Sequence, residues 1–203
     1  GRPALSQSPG RLVDSPFRGS RKPLAGEFRH IASGRSFFVI GAHLGSKRGD
    51  TPLYGEQQPP VFGSDARRAQ QGSAIAKLVS QILAVDPQAR VAVCGDMNDF
   101  PWSDTLKAMT GQSKGARYLY SPSAEFMPAN EQFSYSFRGN FQQIDHILVS
   151  PQFYRDIAAQ ATATTTAWKQ YAFIAHIDSP FSKNNHVQTS DHDALAVRLY
   201  IGD

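Results

Sequence analysis

The run Phe37-Phe38-Val39-Ile40-Gly41-Ala42-His43-Leu44 constrains the fold of this 203-residue chain more than any other segment. A strand alternates its faces with period two, so Phe37, Val39, Gly41 and His43 share one face. Phe38, Ile40, Ala42 and Leu44 share the other. Apolar residues on both faces describe a strand covered on both sides.

Other elements can be placed around it. Residues 1–20, rich in Pro, Ser, Gly and Arg, read as an extended tail or loop, and 21–29 carry a partial strand pattern. Residues 45–63 form a long Gly- and Pro-rich loop directly after His43, a length that usually signals function or mobility. Ser64 is a plausible N-cap for a helix whose apolar stripe runs through Ala69, Ala74, Ile75, Leu78, Val79, Ile82 and Leu83. Asp86-Pro87 closes it. Residues 90–95 read as a strand and 103–110 as a short helix stopped by Gly111. Residues 112–132 look irregular. Residues 133–138 and 141–149 read as two strands around the hairpin signal Gly139-Asn140. Residues 157–175 fit strand or helix, 178–190 a loop, and 194–201 a final strand.

Composition adds bounds. Hydrophobic content of 40% and charged content of 19% are those of a globular chain with a real core. Lys and Arg outnumber Asp and Glu by 21 to 17, a net charge of +4. That excess is compatible with a polyanionic substrate without demanding one. The single cysteine, Cys94, cannot close an internal disulfide and reads as core filler. No stretch approaches the ~20 apolar residues of a membrane span.

Chemistry concentrates after two apolar runs. Gly95-Asp96-Met97-Asn98 follows Val91–Cys94, and Asp96 and Asn98 are expected on one side of the strand end. Their oxygens suit a hard cation and a phosphate bound through it; the alternative is a turn capped by Asp and Asn. His43, at another strand end, could protonate a leaving group or hold a phosphate oxygen, or be structural. Asp145 lies inside the apolar run Ile144–Val149 and requires a partner. His192, in Ser190-Asp191-His192, is the candidate, held in one tautomer as a stronger base. Asp191 is then left to face a metal. His146 points to the opposite face and reads as structural, while His30, His176 and His186 stand in no informative context.

Taken together, five segments resemble the endonuclease/exonuclease/phosphatase superfamily, to which deoxyribonuclease I belongs. They are Ser20-Arg21-Lys22-Pro23-Leu24, Ala42-His43-Leu44, Gly95-Asp96-Met97-Asn98, Ile144-Asp145-His146-Ile147 and Ser190-Asp191-His192-Asp193. The loop Gly49-Asp50-Thr51-Pro52-Leu53-Tyr54-Gly55 through Gln58-Pro59-Pro60-Val61, with Val85–Arg90, resembles the secreted bacterial branch. The resemblance runs from about Ser20 to Val197. It implies an α/β fold, a four-layer α/β sandwich of two mostly antiparallel sheets with outer helices. It also implies metal-dependent phosphodiester hydrolysis, foremost cleavage of nucleic acid, in a secreted or periplasmic setting. Phosphomonoesters and inositol or sphingolipid phosphodiesters are the alternative substrates.

By position, His43 resembles the histidine that assists the leaving oxygen. Asp96 and Asn98 resemble the pair that holds phosphate and metal, and His192 the base supported by Asp145. Asp191 resembles a metal ligand and Arg21 a contact to the substrate backbone. Mg²⁺ is the implied cation, with Mn²⁺ or Ca²⁺ as variants. The family's early strand with an Asn and its following metal-binding Glu have no counterpart before Arg21: residues 1–20 contain neither Glu nor Asn. The expectation is therefore a C-terminal portion of one domain over 21–203, with its N-terminal part missing and the face ending in His43 uncovered. Such a piece would pair with its other half, dimerise or be marginally stable. Whether it is active alone, or a non-catalytic fragment, stays open at this point.

Overall fold

In the computed structural model, which describes residues 1–160, 170–176 and 190–201, the strand expected around Val39 is the centre of a mixed sheet. The first four strands are β1 (Gly10–Arg11), β2 (Leu24–Arg29), β3 (Ser36–Gly41) and β4 (Val91–Asp96). Then come β5 (Tyr135–Phe137), β6 (Asn140–Gln142), β7 (Asp145–Val149), β8 (Ala172–Ala175) and β9 (Ala194–Val197). The five-stranded sheet runs β1-β2-β3-β4-β7, and β5-β6 and β8-β9 form two separate pairs. Among the described residues only β3 and β4 pair in parallel; the other pairs are antiparallel. The helices are α1 (Asp65–Val85), α2 (Asp104–Thr110), α3 (Pro122–Phe126) and α4 (Pro151–Gln160).

The parallel pair follows from α1, which carries the chain back from the end of β3 to the start of β4, as a crossover must. Helices α1 and α2 cover one sheet face, where Phe38, Ile40, Leu44, Val91, Val93 and Leu148 pack against Ile75, Val79, Leu106 and Met109. On the opposite face Ala92 and Val149 are buried with Phe153 and Ile157 of α4, and Phe37, Ile147 and Val197 pack around them. The β8-β9 pair therefore lies over the β7 side of the sheet. This layout is an α/β arrangement that fits a sandwich. Further along the same face Leu24 and Phe28 remain exposed, with Phe28 stacked on Phe37 at 5.5 Å. No helix among the described residues is long and apolar enough to cross a membrane.

Several expectations need correcting. Residues 1–20 are mostly loop, as expected, but they are tied into the fold: β1 pairs with β2, and Phe17 is buried in the core with Leu5 and Leu12 against it. The reason is apolar anchoring that the polar composition of the segment conceals. Ser64 does not cap α1 through its side chain; its hydroxyl is drawn instead to Asp50 at 2.6 Å and to Arg68. The buried stripe of α1 begins on polar residues, Arg68 and Gln71, ahead of the apolar positions. The strand expected over 141–149 is two strands, because β6 pairs with β5 while β7 leaves to join β4. The last strand stops at Val197 rather than at 201. Within 157–175, helix α4 runs to its end at Gln160 and β8 follows from Ala172. Residues 161–169 and the expected loop over 178–190 except its last residue, which includes His186, fall outside the described residues.

Candidate active site

The sheet face that carries Phe37 and Val39 ends in a row of polar side chains. The ladder between β3 and β4 continues past Gly41, with the Ala42 amide donating to the Cys94 carbonyl at 2.9 Å and the Leu44 amide to that of Asp96 at 3.0 Å. His43 is thereby held beside Asp96, and its Nε2 lies 3.1 Å from Asp96 Oδ2. Gly95 is required for this approach. Its φ is +132°, and a Cβ there would fall inside the Ala42 carbonyl oxygen. The glycine serves close strand contact rather than a turn.

Asn98 lies beside Asp96 as expected, but strand alternation does not place it there. Strand β4 ends at Asp96, and Asn98 adopts a left-handed φ of 51°. Its amide donates to Asp96 Oδ1 at 2.7 Å, while its side-chain Nδ2 donates to Asp96 Oδ2 at 3.1 Å and to the Leu44 carbonyl at 3.2 Å. An Asn tolerates this conformation better than most residues. Burial pushes the Asp96 carboxyl above the usual carboxylate range; the Asn98 amide opposes this and the charge of Asp145 adds to it.

Asp145 and His192 form the second half. His192 Nδ1 lies 2.6 Å from Asp145 Oδ2. Ser134, fully buried, donates its hydroxyl to the same oxygen at 2.7 Å, and its carbonyl accepts from the Asp193 amide at 2.7 Å. Burial pulls the His192 imidazole down, yet the hydrogen bond and charge of Asp145, with Asp96 and Asp191 behind them, raise it above the ordinary histidine value. Burial lowers His43, against the pull of Asp96 and with help from Arg21 and His192. With Nδ1 engaged, the second nitrogen of His192 is left to accept a proton.

The remaining expected residues are less central. Arg21 donates from Nε and Nη2 to the carbonyls of His43 and Leu44, at 3.4 and 3.0 Å, so it braces the strand end that carries His43. The Asp191 side chain is 77% exposed and 4.0 Å from His192 Nε2. His146 is buried with its Nε2 2.9 Å from the Asp99 carbonyl, a structural role.

The oxygens of Asp96, Asn98 and Asp191 have the chemistry of a hard-cation set. Yet among the described residues no three His, Cys, Asp or Glu side chains are grouped to hold a metal ion. Both Asp96 oxygens already accept hydrogen bonds, and Asp191 faces solvent. The described residues thus do not compose a cation cage.

Sequence reasoning missed a buried ionic cluster behind the site. Arg68, wholly buried, reaches Asp99 from Nε at 3.0 Å, Asp50 from Nη2 at 3.2 Å and also Asp65. Asp99 additionally takes Lys47 Nζ at 3.3 Å and the Thr105 hydroxyl at 2.7 Å. This ties the loop after His43 to the turn after Asn98. The Asp directly following Gly-Asp-Met-Asn was the available signal. Also missed were Tyr135, whose ring lies 4.7 Å from that of His192, and His176, paired with Asp193 at 2.8 Å. Nothing local in the sequence marks either.

Comparison with known proteins bears on the family and the fold. The profile of the Endonuclease/Exonuclease/phosphatase family matches residues 11–192. No curated protein matches the chain. Among solved structures, truncated TDP2 from Caenorhabditis elegans aligns with a TM-score of 0.52 at 14% identity, over 86% of this chain and 58% of that one. A functionally unknown conserved protein from Enterococcus faecalis V583 aligns with a TM-score of 0.51 at 15% identity, over 90% and 57%. The human Nocturnin catalytic domain aligns with a TM-score of 0.45 at 21% identity, over 64% and 41%. The chain thus spans 41 to 58% of the length of these structures. At such identities the likeness to TDP2 and to the Enterococcus faecalis protein speaks to fold alone.

Proposed function

This chain belongs to the endonuclease/exonuclease/phosphatase family, and on that footing we propose that it hydrolyses phosphoester bonds, with nucleic acid as the substrate. One observation carries the proposal. The 2.6 Å contact of His192 Nδ1 with Asp145 leaves Nε2 to other partners, and the imidazole lies close enough to His43 and Asp96 to interact with their charge. Residues far apart in the chain thus furnish a polarised base next to a group of polar side chains. In this reading His192 Nε2 takes the proton of an attacking water, and the charge of Asp145 stabilises the imidazolium that forms. His43, held 3.1 Å from Asp96, is the group placed to give a proton to the departing oxygen. Asp96 and Asn98 orient the reacting groups. The Mg²⁺ dependence and the secreted bacterial setting implied by the resemblance belong to the same proposal.

A panel of single-stranded DNA, plasmid DNA, RNA, inositol phosphates and sphingomyelin, assayed in Mg²⁺ buffer, tests the substrate class. Turnover of a nucleic acid that His192→Ala and Asp96→Ala each abolish, with unchanged circular dichroism, is the expected result. Full activity in either variant, or turnover confined to the lipid and inositol substrates, would refute it.

A further inference from the structure

A cleft of about 360 Å³ opens beside His192 and Asn98, between the loop after His43 and the β5-β6 hairpin. That volume is at the small end of ligand pockets, enough for a nucleotide and too little for a duplex. Both walls are aromatic. On one side Tyr135 lies over the His192 imidazole, and Phe137 stacks on Tyr135 at 6.3 Å with an interplanar angle of 15°. Three rings thus step outward from the base along one face of the hairpin. On the other side stand Phe62 and Phe100.

A cation adjoins each aromatic group, Lys47 in the lining of the cleft and Arg138 beside it. Lys47 Nζ sits 5.0 Å from the centre of the Phe62 ring and 4.5 Å from that of Phe100. The Arg138 guanidinium lies 5.3 Å from the Phe137 ring. Arg48 stands exposed at the rim. Phe137 is 39% exposed, at a hairpin tip where Arg138 and Gly139 take positive φ of 50° and 79°. An exposed aromatic projecting at a tight turn adds nothing to the core. Planar apolar walls next to positive charge match a ligand with a flat ring and phosphates. They match a sugar phosphate, an acyl chain or a bare anion poorly.

We propose that this cleft is a base-binding subsite, which stacks the nucleobase adjoining the scissile phosphate and so selects single-stranded or unpaired nucleic acid. The proposal rests on the phosphoesterase reading above and adds a source of selectivity to it. A stacked base adds on the order of tenfold or more to productive binding. Phe137 touches none of the reacting groups, so its removal should erase that gain and leave the chemistry intact.

The test compares thymidylyl-(3′→5′)-thymidine with two analogues, each lacking one base. For this chain kcat/KM should fall about tenfold or more for at least one analogue. Phe137→Ala should lower the intact dinucleotide to the level of that analogue without slowing the analogue itself. Equal rates for all three substrates would overturn the subsite, as would a Phe137→Ala loss shared equally by intact and base-less substrates. Binding of thymidine 5′-monophosphate and of 2-deoxyribose 5-phosphate is measured alongside. If no dinucleotide is turned over, the phosphoesterase reading has failed. Tighter binding of the nucleotide, lost in Phe137→Ala, then upholds the subsite by itself, and equal binding of the two ligands rejects it.

Discussion

Asp96 and Asp145 stand directly opposite each other on neighbouring antiparallel strands. Like charges in that position normally repel and destabilise the pairing. Here each carboxylate is met by a different histidine, Asp96 by His43 and Asp145 by His192. The site is thus two Asp-His pairs built across one strand pair, and the charge of Asp145 adds to the burial that raises Asp96.

The first prediction concerns that tuning. Asp145 raises His192 above its ordinary value of 6.5, against the effect of burial. A base works when unprotonated, so activity should climb with pH through the raised His192 value. Asp145→Asn removes the hydrogen-bonding charge and should move that limb to lower pH while cutting the maximal rate about 10²-fold or more. NMR titration of the His192 imidazole reads the shift directly, and an unchanged midpoint would contradict the assignment.

Gly95 offers a test of the strand geometry. Its positive φ and the Ala42 carbonyl leave no room for a side chain. Gly95→Ala should destabilise the fold by about 3 kcal/mol or more, the range reserved for backbone strain combined with core displacement. Urea unfolding checks it; a variant as stable as the parent would mean the two strands do not meet as described.

The buried cluster around Arg68 should govern the loop. Arg68→Met removes the buried counter-charge of Asp50 and Asp99 and leaves them Lys47, at 3.8 and 3.3 Å; the loss of one partner costs up to about 3–5 kcal/mol in comparable buried pairs. Arg68 uses Nε, Nη1 and Nη2 on separate partners, so Arg68→Lys should recover little. Limited trypsin digestion at the exposed Arg48 should accelerate in both variants. Unaltered digestion would show that the cluster does not hold the loop.

His146 predicts acid lability. Burial holds its imidazole below the ordinary 6.5, against the Asp99 carbonyl that its Nε2 meets. Below that ordinary value the unfolded chain binds a proton that the folded chain refuses, so stability declines as pH falls. One proton corresponds to a slope of up to about 1.4 kcal/mol per pH unit. His146→Gln keeps a donor toward Asp99 and should flatten this slope in denaturation measured from pH 7 to pH 5. An equal slope in both proteins would exclude His146 as its source.

Much of this site was legible beforehand because its residues sit at strand ends, where period-two patterning states which face a side chain takes. His43 and Asp145 were placed on their faces that way, and a carboxylate within an apolar run demanded a partner that His192 supplies. Asn98 was found for an incomplete reason, since a left-handed turn and not alternation puts it against Asp96. Arg68 could not be found at all. A charged residue on a helix reads as solvent-facing until three carboxylates from separate segments surround it.

The order of the chain alone decided which residues alternate, where the two polar clusters fall, and that Asp145 required a counterpart. The three-dimensional fold alone decided that β4 and β7 pair in the register that sets Asp96 against Asp145. It also detached β6 from β7, anchored Phe17 in the core and brought the Tyr135 ring over His192. Local periodicity encodes the direction of a side chain, which depends on its own backbone. Register, ring stacking and charge neutralisation depend on segments tens of residues away, and only chain closure makes those neighbours.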